Sequence, residues 1–169
     1  MSVEVQRVRR ADAEELIAAN RDSVDYHAPW VKNFTDQAGF DAFFARGVVG
    51  ANIALIARER PSGALVGVVN LLEIVLGAFR SAYLSYWGYP ATAGRGLMTE
   101  ALREAVRFAF DEIGLHRVEA SIQPANVRSI ALVRRAGFAK EGFSPDHLFI
   151  DGAWRDHERW ALRADAPSA

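Results

Sequence analysis

Two glycines one residue apart, Gly94 and Gly96, stand where an aromatic run gives way to apolar residues spaced by three and four. The run Tyr83-Leu84-Ser85-Tyr86-Trp87-Gly88-Tyr89 is rich in residues that strands favour, and Pro90, which cannot donate to a ladder, stops it. From Met98 through Leu102, Ala105, Val106 and Ala109 to Ile113 the apolar positions line one face of a helix. Glu100, Arg103, Glu104 and Arg107 fall elsewhere, and Gly114 ends it. A strand from Ala82 to Tyr89 is thus expected to turn into a helix through a glycine pair. Glycine reaches positive φ cheaply, and the first N–H groups of a helix lack intrahelical acceptors, so such a turn suits a phosphate. It equally suits a tight strand-to-helix connection that binds nothing.

Two phosphate motifs are disfavoured. A nucleoside triphosphate loop needs Gly-Lys-Ser/Thr, and the chain's lysines, Lys32 and Lys140, are far from Gly94. A dinucleotide fingerprint wants a third glycine where Thr99 stands and an acidic strand end about 20 residues on, where Arg117 to Glu119 is a weak match.

Downstream, His116 to Ile122 reads as a short strand, and Gln123-Pro124-Ala125 leads to a helix opened by Asn126 and Ser129 and closed by Gly137. Capping accounts for Asn126 and Ser129 by itself. Upstream, Asp12-Ala13-Glu14-Glu15 predicts a capping box and a helix through Asn20. Phe40, Phe43 and Phe44 mark a second helix closed by Gly47. Asn52 to Arg58 and Leu65 to Val75 read as strands joined at Pro61-Ser62-Gly63, and Leu76-Gly77-Ala78 leads into the strand ending at Tyr89. This antiparallel meander, followed by strand, helix, strand and a hairpin at Asp151-Gly152, predicts an α/β domain around one central sheet.

Together these segments resemble the GNAT superfamily of N-acetyltransferases, and within it the RimJ/RimL group that acetylates ribosomal-protein alanines. The resemblance is carried by Gly94-Arg95-Gly96-Leu97-Met98 with Glu100-Ala101-Leu102, Gly114-Leu115-His116-Arg117-Val118-Glu119-Ala120, Asn126 with Ser129, Ala136-Gly137-Phe138, and Glu141-Gly142. The stretch from Ile150 to His157 and Pro29-Trp30 are similar to the same group. The family's phosphate motif, Gln/Arg-x-x-Gly-x-Gly/Ala, falls on Ala91 to Gly96. Both glycines match, and Ala91 departs at the first position.

The resemblance implies a single GNAT-like domain over residues 1–163, with a loose tail at 164–169. Its mixed, mostly antiparallel sheet, flanked by helices, would splay between two parallel strands, those ending at Tyr89 and Ile122. It implies acetyl-CoA as cosubstrate and a primary amine as acceptor, most simply a protein or peptide N-terminus. Trp87, Gly88, Tyr89, Gly94, Arg95, Gly96, Leu97, Met98, Thr99, Asn126 and Ser129 would bind the cofactor: backbone from Gly94 to Thr99 the pyrophosphate, and the strand around Tyr86 to Gly88 the pantetheine arm. Tyr86, Trp87 and Tyr89 also read simply as core. Ser129 matches the serine that RimJ/RimL relatives carry and would donate to the departing sulfur. The tyrosine that many relatives carry seven residues after the asparagine is Val133 here.

A general base is not placed. Ser121 occupies the position of the glutamate some relatives use, leaving Glu119 and Glu73 as carboxylates that either reach the cleft or are solvated surface groups. An α-amine with pKa near 8 is roughly one-tenth neutral at pH 7, a lysine amine about one part in 2,500, so a weak base favours an N-terminal amine. Acetylation of a small amine or amino acid, and a non-catalytic acyl-CoA-binding domain, stay open.

A net charge of −1 without a long basic run offers no footprint for nucleic acid. There is no cysteine, hence neither disulfide nor thiolate metal site. His147 and His157 fall on neighbouring strands of the predicted hairpin but lack a third ligand, so no metal is expected. No apolar stretch is long enough to span a membrane, which predicts a cytoplasmic protein; monomer and homodimer both stay open.

Overall fold

In the computed structural model, described over residues 2–48 and 51–164, the chain builds one seven-stranded sheet with helices on both faces. The strands are β1 (Val3–Arg7), β2 (Ile53–Glu59), β3 (Leu65–Val75), β4 (Ser81–Gly88), β5 (Arg117–Ile122), β6 (Ala139–Ile150) and β7 (Ala153–Arg163). The helices are α1 (Ala13–Asp22), α2 (Val24–His27), α3 (Gln37–Val48), α4 (Leu97–Asp111) and α5 (Val127–Ala136). Spatial order is β1-β2-β3-β4-β5-β7-β6, and β4 with β5 is the parallel pair within otherwise antiparallel pairing. This is the predicted α/β class and meander.

Period-two alternation sorts the strand residues between two cores. Ile53, Leu55, Val69, Leu71, Leu84, Val118 and Ala120 pack against Leu102, Ala105, Val106 and Ala109 of α4 and Val133 of α5. On the other face Ile56, Val68 and Trp87 meet Leu16 and Ile17 of α1 and Phe40 and Phe43 of α3. Among the described residues no helix is long and apolar enough to cross a membrane.

Several expectations need correction. The edge strand β1 and the short α2 were not predicted. The capping box runs the other way: Asp12 accepts from the Arg9 N–H (2.7 Å) instead of capping the residues that follow, and it and Glu15 pair with Arg58. Gly47 lies inside α3, not past its end. Glu104, expected off the apolar stripe of α4, is nonetheless only 4% exposed and ion-pairs with Arg107, because β1 packs along α4. Ala164, expected to begin the tail, donates to His116 O (2.8 Å); residues 165–169 lie outside the described residues.

Candidate active site

The parallel register of β4 and β5 covers Ser81↔Arg117, Ala82↔Val118 and Tyr83↔Glu119 and then stops. Beyond it β4 stays bound to β3 as far as Gly88↔Gly67, and β5 to β7 as far as Ile122↔Glu158, so the two strands diverge while each keeps its outer partner. The sheet is thus split open, and a cleft of about 680 Å³ occupies the split.

At one end of β4 the chain makes a short 3₁₀ turn, Pro90–Thr92, and enters α4 through Gly94 (φ 75°) and Gly96 (φ 79°). A Cβ at either glycine would meet nothing within 4 Å, so the left-handed backbone, not crowding, demands glycine there. This conformation turns the N–H groups of Gly94, Arg95, Gly96, Leu97 and Met98 away from any acceptor among the described residues, whereas Ala93 and Thr99 donate to Pro90 O (3.2 Å) and Gly96 O (3.0 Å). Of the expected binding backbone, Thr99 N–H is therefore already engaged. Arg95 is ion-paired to Glu59, whose carboxyl it holds below the usual carboxylate range. Met98 packs across Gly67 and Gly88; a Cβ on Gly67 would stand 2.5 Å from Trp87 O and 2.7 Å from Met98 Sδ, so glycine here lets β3, β4 and α4 close up beneath the turn.

The aromatic side chains that follow are structural. Trp87 Nε1–H donates to Tyr89 Oη (3.0 Å), Tyr89 donates to Asn20 Oδ1 (2.9 Å), and Asn20 donates to Phe34 O (3.0 Å), tying β4 to α1. Burial drives the Tyr89 hydroxyl pKa well up, so it stays protonated. Gly88 O accepts from His27 Nε2–H (2.8 Å), a tautomer fixed by the carbonyl, and Asn33 donates to His27 Nδ1 (3.0 Å).

Inside the wedge Tyr86 of β4 reaches α5: its hydroxyl lies 2.6 Å from Ser129 Oγ. Burial pushes the Tyr86 hydroxyl up to about 12, the bond to Ser129 offsetting part of the shift. Asn126, which lines the cleft, caps α5, its Oδ1 accepting the Ser129 N–H (3.1 Å), so the capping role is real. Glu73 sits exposed at the rim, at φ 50°, its N–H bound to Asn52 Oδ1 (2.9 Å). Glu119 does not line the cleft; it accepts from Arg117 Nε (2.8 Å), and Arg117 also pairs with Glu141.

Three groups in the cleft escaped the sequence reading. Tyr86 was read as backbone beside the pantetheine arm or as core, and its hydroxyl was not singled out. His147 and His157, weighed only as metal ligands, both line the cleft with their rings 5.7 Å apart, and among the described residues no third His, Cys, Asp or Glu joins them in a ligand set. Arg46 of α3 lines both the cleft and an adjoining chamber of about 270 Å³ that also holds Lys32 and Asn33. The signal for the histidine pair lay in the hairpin, which brings the two strands together.

The sheet is thus opened between two parallel strands, with unspent amides at its mouth and hydroxyls in its wedge. The family model described as Acetyltransferase (GNAT) domain matches residues 3–139, and the chain belongs to that family, whose members use acetyl-CoA. It is 42% identical over 98 residues to the probable N-acetyltransferase YjcK of Bacillus subtilis, covering 58% of this chain and 54% of that protein. To the [ribosomal protein uS5]-alanine N-acetyltransferase of Escherichia coli it is 44% identical over 98 residues, covering 58% and 50%. The chain thus spans about half the length of the curated relatives it matches. Mycobacterium smegmatis RimJ in complex with CoA-disulfide is a structural neighbour, with TM-score 0.84 and 28% identity over 96% of this chain and 82% of that one.

Proposed function

We propose that the protein transfers the acetyl group of acetyl-CoA to a primary amine, and that the acceptor is the N-terminal α-amine of a protein or peptide. One observation carries the transfer: the register of β4 and β5 ends at Tyr83↔Glu119, leaving a gap with free amides at its mouth and the Tyr86–Ser129 pair inside it. The N–H groups from Gly94 to Met98, at the positive end of the α4 dipole, suit a diphosphate. The pantetheine arm then lies along the unpaired part of β4 as an added strand does.

The amine nitrogen attacks the thioester carbonyl carbon, the N–C bond forms, and the C–S bond breaks with its electron pair on sulfur. Tyr86, the more acidic hydroxyl yet protonated at any physiological pH, donates to Ser129 Oγ and frees the Ser129 proton for the departing sulfur. Asn126 holds the start of α5 so that Ser129 meets this position.

The charge of the cleft favours the acceptor chosen. Among its described lining residues Glu73 is the one carboxylate, set against Arg46; in the adjoining chamber stands Lys32, itself paired with Asp151 (4.0 Å). A polycationic amine would meet like charge there, whereas a peptide offers one ammonium and a row of carbonyl acceptors to the arginine. The test is thiol release from acetyl-CoA with a panel of acceptors: alanine- and serine-initiated peptides, the same peptides blocked at the N-terminus but carrying lysine, a polyamine, and free amino acids. Turnover confined to open N-termini supports the reading; turnover on the blocked lysine peptide or the polyamine alone contradicts it.

A further inference from the structure

We propose that His157 is the general base of the site and that a β-bulge in β6 places His147 against it as a positioning residue. This rests on the acetyl-transfer reading above and places the proton acceptor on a buried side chain of the cleft, which Glu119 does not line and where Glu73 is exposed.

The bulge is visible in the register. Ser144 pairs with His157 and Leu148 with Arg155, so three residues of β6, Pro145 to His147, stand against the single Asp156 of β7. Proline cannot donate to the ladder, Asp146 adopts φ 45°, and the Asp146 N–H is taken by Asp156 Oδ1 (2.9 Å) in place of a strand partner. The extra residues bring the His147 ring to the cleft, where its Nε2 lies 3.2 Å from Ser121 Oγ and its ring meets His157 edge to face. His157 is 2% exposed, and its Nδ1 lies 2.8 Å from Arg155 O. A carbonyl only accepts, so Nδ1 carries the proton and Nε2 keeps its lone pair. His157 lines the same cleft as Ser129, so a neutral imidazole and the α5 hydroxyl border one cavity.

Burial lowers the His157 pKa below its ordinary 6.5 and repulsion from His147 adds to it, while the hydrogen bond to the Arg155 carbonyl and, more weakly, Asp156 oppose the shift. Of the other charged groups nearby, Arg159 lies over Gly142 and Glu119 is bound to Arg117, while Glu73 is the carboxylate that lines the same cleft, solvent-exposed. The imidazole is therefore in its base form at neutral pH. His157 Nε2 takes one proton from the bound ammonium, the freed lone pair attacks the carbonyl carbon, and the second proton passes to solvent as the N–C bond forms. The thiolate takes the Ser129 proton, replenished from Tyr86, and exchange with solvent resets both ends.

The test is the pH dependence of kcat for the wild type and His157→Gln, with coenzyme A affinity as a check on folding. The wild type is expected to lose activity as pH falls through a value below 6.5. His157→Gln is expected to fall about a hundredfold at pH 7 with coenzyme A affinity unchanged. Its acid limb should move to the α-amine's own value near 8, so that the gap closes at higher pH. His147→Phe, which keeps the edge contact but removes the charge, should move the limb upward with a smaller loss. Equal kcat and an unmoved limb in His157→Gln overturn the assignment while leaving acetyl transfer standing. A wild type that binds coenzyme A and acetylates no acceptor overturns the transfer reading and this base with it. Should His157→Gln fail to fold, a wild-type kcat limb near 8 with none below 6.5 is the overturning result.

Discussion

Gly96→Ala isolates the backbone geometry on which cofactor binding depends. Gly96 has φ 79° and ψ −6°, and the added methyl would touch nothing within 4 Å, so the substitution introduces strain without a clash. An L-residue in the left-handed region costs about 1–2 kcal/mol. That cost has two outlets. If the turn keeps its shape, the cost appears in folding, and for a chain of this length it lowers Tm by about 2–8 °C. If the turn relaxes in the free protein, the N–H groups from Gly94 to Met98 lose their common direction, and restoring it weakens coenzyme A about 5- to 30-fold. Differential scanning calorimetry and isothermal titration with coenzyme A measure the two outlets separately, and together they should account for the whole 1–2 kcal/mol. A variant that melts and binds as the wild type does would refute the reasoning, because the strain would have gone nowhere.

Ser129→Ala should lower kcat roughly a hundredfold while leaving coenzyme A affinity unchanged, as loss of a single donor to developing charge does; unchanged kcat in the thiol-release assay removes Ser129 from the reaction. Asn126→Ala should cost about 1 kcal/mol of stability in denaturant unfolding through the lost cap. Gly67→Ala forces a methyl toward the fixed Trp87 carbonyl oxygen and should destabilise by about 1–3 kcal/mol, read from the same unfolding curves. Arg117 holds the Glu141 carboxyl below its ordinary 4.5, so the pair contributes fully above that value and is lost as pH falls through the lowered one. Arg117→Met should accordingly flatten the fall in stability measured below about pH 4.5.

What was legible in the sequence was local. The glycine turn before α4, the Asn126 cap, the αL residue Gly137 and the Asp151-Gly152 hairpin each follow from a few adjacent residues, and each stands where expected. The split between β4 and β5 was legible only through resemblance, since nothing within either strand says where their pairing stops. Long-range features escaped. Glu104 falls off the apolar stripe of α4, and its burial shows only once β1, from the far end of the sequence, is laid along α4. Asp12 has the right spacing for a cap, but its carboxylate turns back to Arg9 and is shared with Arg58, a residue of β2. His147 reaches the cleft through a bulge whose register is set by β7.

A crystal structure with coenzyme A bound tests the central claim most directly. The account predicts the diphosphate within hydrogen-bond distance of the N–H groups between Gly94 and Met98, the arm in the gap past Tyr83 and Glu119, and the sulfur beside Ser129 Oγ. A diphosphate bound elsewhere, with β4 and β5 drawn together along their length, would contradict it.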